Sequence, residues 1–522
     1  MRLQGGGGRD DLAGDRYPAR MQTVLFRQTS ISRPGIAVAT QRDPSRFDPM
    51  LRLLLFLLVL SPLPMAAAPL ALIGVTVVHP QREAVAAVVH DQTVVIAEGR
   101  IAALGLGHEV QVPAGATRID GRGRWLTPGL IDAHVHFELS GTLYARPDIA
   151  NLSYRVGFAQ EQARHRARLP ETFRAWLRSG VTGVVDVGGS PWTFVVRDAA
   201  RDNPWAPRVA VAGPLVSMVA RPQLDAGGPI IVKVETPEDA RVLVRRTLAS
   251  NPDYIKVWFV HHPGDDLAAQ EAIVRAAGEE AHAAGVRLAV HATELVVAKA
   301  ALRARADFLV HSVEDAPVDE EFLELARARD VSYCPTLFVY EGYGLALSDR
   351  WRPTEAERRL ADPEALARMD DLSELPRDRL PAWIRRSIEQ GPMLGEPPRA
   401  APNLRRVLDA GIRVVAGSDA GNIGTLHGPG IFREIASMAR AGMTPLEVLR
   451  AATTGGAHAL GLAHEAGVIA EGALADLVVL DADPLADSAN LSRIRSVIKG
   501  GRLLPSADAP APARAPASPD SP

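Results

Sequence analysis

Through the middle of the chain two textures alternate. Eight short apolar runs, LIDAHVHF, VTGVVDV, RVAVAG, YIKVWFV, VRLAVHA, DFLVHS, VSYCPTL and IRVVAGSD, have the length and β-branched content of buried strands. Most are followed by stretches whose apolar positions recur at helical spacing, such as LAAQEAIVRAAGEEAHAAG, ELVVAKAALRARA and DEEFLELARARD. Strand then helix, repeated eight times, predicts an α/β fold of the (β/α)8 TIM-barrel type, with parallel strands inside and helices outside. From Tyr340 to about Pro402, between the seventh and eighth runs, the chain is charged and rich in proline. This stretch is expected to be an insertion over one mouth of the barrel.

The flanks read differently. Short β-branched segments (ALIGVTVV, TVVIAEG, RIAALG) lie before the first run, and the same texture returns in GVIAEGALADLVVLDADPL and SVIKGGRLL. Neither arm is large enough to bury a core alone, so the two are expected to pair into a small β-sandwich domain formed by both chain ends. The expected boundaries are 69–125 and 463–504 for the two parts of the sandwich, with the barrel at 126–462. Residues 1–49, with a GGGG run and no sustained apolar period, read as a non-native N-terminal extension. MLRLLLFLLVLSPLPMAAAPL begins at Met50 with Arg52, a short apolar run, prolines and three alanines, the layout of a signal peptide over 50–68. Its run is shorter than the roughly 20 apolar residues of a membrane span. The expected destination is therefore periplasmic or secreted, with an uncleaved membrane anchor as the alternative. The Pro, Ala and Ser of residues 505–522 read as a disordered tail.

Bulk composition narrows the chemistry. Hydrophobic residues at 47% and charged residues at 23% of 522 are ordinary for a globular protein. Lys plus Arg (58) against Asp plus Glu (61) gives no basic field, so nucleic acid is not an expected partner and a small molecule is. Cys334 is the only cysteine, which excludes an intrachain disulfide and a thiolate cluster. Any metal here must use nitrogen and oxygen ligands.

The candidate ligands sit at the ends of the apolar runs, where a barrel of this type places its active site. His134 and His136 are two apart on the first run, so both rings project to one side of an extended strand and can grip one ion. His291 ends the fifth run, His311 the sixth and Asp419 the eighth. Ionisable groups at apolar positions are costly to bury unless paired or bound to metal, and imidazole with carboxylate suits zinc or a similar ion. Lys256, inside YIKVW, is the odd member, since an ammonium repels metals; a buried ion pair with Asp419 is its alternative role.

Taken in order, LTPGLIDAHVHFE, YIKVW, AVHATE, LVHSVED, GSDAG, AATTGGAHALGL and GVIAEGALADLVVLDADPLAD resemble the amidohydrolase superfamily, in particular its imidazolonepropionase-like branch with the Xaa-Pro dipeptidases. The likeness covers Leu70 to Leu503. It implies two divalent metal ions, zinc by preference: His134, His136 and Asp419 on the first, His291 and His311 on the second, and Lys256, carboxylated by CO2 to a carbamate, bridging both. It further implies a metal-dependent hydrolase that cleaves a small amide or peptide C–N bond, in the manner of a dipeptidase or amidase. A metal-bridging hydroxide would attack, with Asp419 as catalytic proton shuttle. The alternatives are a mononuclear deaminase or cyclic-amide hydrolase, and a non-catalytic binding protein. A dipeptide or other small molecule is the expected substrate, and a homo-oligomer the expected assembly. His427, in GSDAGNIGTLHGPG, matches a position where such proteins often keep a histidine near substrate, with loop capping as its other role. Trp258, Tyr340 and Tyr343 are weaker candidates for pocket walls, and barrel core or local packing is the preferred reading of each. His261, His262, His282, His458 and Cys334 fall outside the motif. The loop GPLVSMVARPQLDAGGP after the third run lacks the Gly-His pattern of relatives, so it is expected to shape a pocket of its own.

Overall fold

The computed structural model describes residues 68–225 and 228–505. The expectations for residues 1–67 and 506–522, leader and tail alike, lie outside the described residues.

The N-terminal arm supplies β1 (Leu70–Val78), β2 (Val88–Ala97), β3 (Arg100–Leu106), β4 (Thr117–Asp120) and β5 (Trp125–Pro128). Glu98 and Gly99 join β2 to β3 with φ of +52° and +78°. Two positive φ values in a two-residue loop follow the right-handed twist of the strands they connect.

All eight central runs form strands, and all pairings among them are parallel. β6 (Leu130–Val135), β7 (Val181–Asp186) and β8 (Arg208–Val211) form one sheet. A second sheet holds β9 (Leu215–Ser217), β10 (Ile231–Lys233), β11 (Tyr254–Trp258), β12 (Arg287–His291), β13 (Phe308–Val310), β14 (Ser332–Cys334) and β15 (Arg413–Val414), in the order β10-β9-β11-β12-β13-β14-β15. Backbone bonds link the sheets at both edges. Asp253 N–H donates to Val211 C=O (2.9 Å) beside β8 and β11, and Ala133 N–H donates to Ala416 C=O (2.9 Å) beside β6 and β15. Sequence periodicity did not anticipate β9 and β10, three residues each, which flank the segment 218–230.

The helices form for local reasons and are held by what they bury. Asp266 caps the helix Leu267–Ala283 by accepting from the N–H groups of Ala268 and Ala269, and Ile273, Val274, Ala277 and Ala281 form its buried stripe. Each large aliphatic side chain so buried contributes about 1.5–3 kcal/mol.

The insertion folds into short helices, among them Val339–Ala346, Glu355–Leu360, Pro363–Ala367 and Ala382–Gln390. Leu347, Trp351, Leu372 and Ile384 share one core with Leu143, Ile423 and Leu426, from the loops that follow β6 and β15. Trp351 Nε1 donates to Gly424 C=O at 3.0 Å. Loops following parallel strands lie at their C-terminal ends, so the insertion covers that end.

The C-terminal arm adds β16 (Leu477–Leu480), β17 (Ile494–Lys499) and β18 (Arg502–Leu503). β16 pairs antiparallel with β5, placing strands of both arms in one mixed sheet, β18-β17-β16-β5-β1-β2-β3, with β4 on β1. Leu72, Val75, Val77, Ile96, Leu126, Val479 and Ile498 form its core.

Candidate metal centre

The strand ends bring the anticipated residues together. His134 and His136, two apart at the end of β6, present their rings to the same region, and Asp419 reaches it from the turn after β15. Asp419 Oδ1 lies 3.3 Å from His134 Nε2 and 3.2 Å from His136 Nε2. One donor atom from each of these three residues fits within 4.8 Å of the others, a spacing that can hold a metal ion. The rings continue in a chain: His134 to His311 is 4.9 Å between centroids, and His311 to His291 is 4.6 Å. All four histidines, Lys256 and Asp419 line one pocket of about 420 Å³, room for a small molecule.

The far side of the rings is also fixed. His136 Nδ1 donates to Gly188 C=O at 2.7 Å, and His134 Nδ1 meets Thr336 Oγ1 at 3.1 Å, so each turns Nε2 inward. The backbone bends sharply to aim these groups: φ is +73° at His311, +49° at Thr336 and +58° at Asp419. Non-glycine residues enter this region at an energetic cost that surrounding structure must hold, and such residues cluster at functional sites. Gly417 is required here for a different reason, because a Cβ on it would lie 2.4 Å from Cys334 Sγ and 2.6 Å from His134 Cβ.

Burial dominates the electrostatics. It holds the imidazoles of His134 and His291 well below their ordinary range, and brings His311 down to about 4. Neutral imidazole is the form that binds metal. Burial also opposes charge on His136 and Asp419, but each outweighs it by facing the other: His136 is raised and Asp419 lies far below the usual carboxylate range. Burial brings Lys256 down to about 7. Its Nζ has no hydrogen-bond partner among the described residues, so the ion pair with Asp419 considered from sequence does not form.

Comparison with known proteins gives this geometry a context. The model of the Amidohydrolase family matches residues 125–504, most of the chain. The chain belongs to the amidohydrolase family. Over 109 residues this amidohydrolase is 34% identical to the imidazolonepropionase of Geobacillus kaustophilus, a match covering 20% of the chain and 25% of that enzyme. It thus spans about a quarter of the length of the curated relatives it matches. Among solved structures it resembles a protein assigned as a prolidase from Bifidobacterium longum, at 25% identity and a TM-score of 0.61, covering 86% of this chain and 97% of the other. Molinate hydrolase shares the fold, at 23% identity and a TM-score of 0.61, with 86% and 99% covered.

The amidohydrolase pocket corrects several readings of its sequence. His427 does not line it. Its Nε2 donates to Leu139 C=O at 2.7 Å, and its ring stacks 5.1 Å from His165 and 5.7 Å from Phe137, which is the loop-capping role. Trp258, Tyr340 and Tyr343, read as core or packing, do line it. Sequence reasoning missed Arg146 and Asn422. Arg146 Nη1 donates to Asn422 Oδ1 (2.7 Å), and Asn422 Nδ2 donates to Asp419 Oδ1 (2.6 Å). Tyr343 OH donates to the same Asn422 oxygen at 2.5 Å, and Asp148 accepts from Arg146 Nε and Nη2 at 2.8 and 2.7 Å. The Asp419 oxygen that faces the two histidines is therefore also held by Asn422. A signal was present in GSDAGN, where Asn422 falls one tight turn after Asp419, but Arg146 lies too far away in sequence to be paired with it.

Proposed function

We propose that this amidohydrolase is a metal-dependent enzyme that hydrolyses a small amide or peptide C–N bond. Its site is carried on a closed (β/α)8 barrel spanning 126–462, beside a sandwich built from 69–125 and 463–504. The observation that carries the reading is Lys256: a buried amine with no hydrogen-bond partner among the described residues, in a pocket shared with four histidines and a carboxylate. Such a group is costly unless something neutralises or uses it.

The residues fit a pair of divalent ions, zinc by chemistry of the donors. His134, His136 and Asp419 would hold one, His291 and His311 the other, and Lys256, as a carbamate, both. Burial favours the neutral amine of Lys256, and that lone pair is what attacks CO2, forming the N–C bond with loss of one proton. When bound, such a pair polarises the scissile carbonyl and makes a water acidic enough to attack at neutral pH. Asp419, ionised and braced by Asn422, is placed to accept the proton released by the attacking water. It then delivers that proton to the leaving nitrogen, so the amine departs neutral. The walls from Trp258, Tyr340 and Tyr343 exclude bulk water and orient the acyl group.

A single-ion cyclic-amide hydrolase or deaminase is the second reading. It is favoured by the tight grouping of His134, His136 and Asp419 alone, and by the imidazolonepropionases among the matched relatives. Export by the leader at 50–68 and assembly as a homo-oligomer belong to the same proposal. Elemental analysis of protein prepared with and without bicarbonate, alongside Lys256→Ala, separates the two readings. About two ions per chain, falling in the variant, is the expected result. One ion, indifferent to Lys256, would move the search to deamination and cyclic amides.

A further inference from the structure

His134 and His136 share a strand but are held in different ways. The side chain of His134 is 1% exposed and is pinned by the packing around it, whereas that of His136 is 15% exposed and borders the open pocket. An imidazole with free space beside it keeps one orientation only where a hydrogen bond fixes it, and a change of rotamer would carry Nε2 away from Asp419. The ring of His136 has one such bond, from Nδ1 to Gly188 C=O at 2.7 Å. That carbonyl belongs to a glycine at φ +147°, the residue type whose backbone is least restrained of itself. Gly189 N–H ties the same peptide to Gly213 C=O at 3.0 Å. The link from this turn back to His136 is made by Asp186.

Asp186 ends β7, in register with Val135 at the end of β6, and is fully buried without lining the pocket. Its Oδ2 accepts from Phe137 N–H and its Oδ1 from Gly188 N–H, both at 2.9 Å. Phe137 follows His136 in the chain, so the bonds close a circuit. It runs from the His136 backbone through Phe137 N–H and the carboxylate to Gly188, and from Gly188 C=O back to the His136 ring. Two N–H donors on separate segments need two acceptor oxygens on one rigid group, which a carboxylate supplies and a side-chain amide does not. Burying that charge is costly, and the circuit is what the cost secures. We propose that Asp186 is a positioning residue for the metal centre, setting the spacing at which Gly188 C=O meets the His136 ring and so the aim of Nε2 at the ion. This inference rests on the reading of His136 as a metal ligand and adds a residue outside the pocket on which metal affinity depends.

The test uses full-length protein stripped of metal and titrated with Zn2+ against a competing chelator, for the wild type, Asp186→Asn, His136→Ala and the double variant, with melting temperature as the folding control. Asparagine keeps the shape of Asp186 but turns an NH2 group toward one of the two amides. Zn2+ affinity is expected to fall about 10- to 100-fold in Asp186→Asn, as it does when groups that orient ligands are lost. In the His136→Ala background the same substitution is expected to change affinity by less than about twofold, because the ring it aims is gone. Histidine 15N spectra of the metal-free protein report the ring directly, with the His136 signal assigned by its absence from His136→Ala. Asp186→Asn should displace that signal and leave those of His291 and His311 in place. Gly188→Ala strains the circuit from its other side, since the new Cβ would lie 2.5 Å from Leu215 Cδ1, and the same measurements pass to it if Asp186→Asn does not fold. Unchanged affinity, an equal fall in both backgrounds, or an undisplaced His136 signal would each overturn the inference. A wild type that binds no Zn2+, with the His136 signal still displaced by Asp186→Asn, would keep the positioning role and remove the metal reading.

Discussion

Two groups of histidines lie near one another in this protein and share low solvent access, but they differ in what their nitrogens face. In the first, His134 and His136 turn Nε2 toward one carboxylate oxygen, and His291 and His311 extend the cluster along the pocket they share with Lys256, whose amine has no hydrogen-bond partner among the described residues. In the second, His427 spends Nε2 on the Leu139 carbonyl and stacks with His165, while the edge of Trp176 closes the set at 5.6 Å. The first set converges on a space and the second on itself. Burial of a histidine is thus a poor guide to function, and convergence of its free nitrogen with other donors is a good one.

The sharpest way to break the contrast is at Asp419. Asp419→Asn keeps the shape but removes the charge that His136 faces and the proton acceptor, so kcat is expected to fall by about 10²- to 10⁴-fold. Initial rates on the best amide substrate, with metal content measured in parallel, check this. Stripping metal with a chelator should abolish turnover and be reversed by adding the ion back. The next effect is at the brace. Asn422→Leu leaves every ligand in place but releases Asp419 from Arg146, and should lower kcat or metal affinity by about 10- to 100-fold, as loss of groups that orient ligands does. A variant with unchanged kcat and unchanged metal titration would show the brace to be structural only.

The smallest effect on catalysis is expected in the second histidine group. His427→Phe should retain metal and turn over within a few-fold of wild type, while losing about 1 kcal/mol with its hydrogen bond. Burial pushes the His427 imidazole down to about 3, below its unfolded value of 6.5. As pH falls the unfolded chain takes up this proton first. The stability linked to His427 is therefore complete above pH 6.5 and is lost from there down to about 3. Urea midpoints at pH 7.5 and 4.5 should lie closer together in His427→Phe than in wild type. Equal separations would place the acid sensitivity elsewhere.

How much of this was legible beforehand follows from the range of each interaction. The eight parallel strands were readable because a buried strand writes its whole length as a local apolar run. His134, His136, His291, His311 and Asp419 were readable because a polar group ending such a run stands out against it. Lys256 was readable as an anomaly, but its freedom from Asp419 was not, since that depends on packing in three dimensions. Arg146 and Asn422 sit in loops, where polar residues are ordinary and carry no local contrast. His427 misled because a glycine-rich loop beside a ligand can present its histidine either to the pocket or to the loop's own carbonyls. In this chain Leu139 C=O, together with the stacked face of Phe137 and the edge-on contact with Trp176, takes it.

The left-handed backbone at Thr336 bears on how this protein can change. A β-branched residue at φ +49° holds energy that a glycine would release, on the order of 1–3 kcal/mol. Its hydroxyl is also the contact that orients His134. A population selected only for heat tolerance would gain by replacing it, and one selected for turnover would keep it. Position 336 is where endurance and catalytic speed compete for the same side chain.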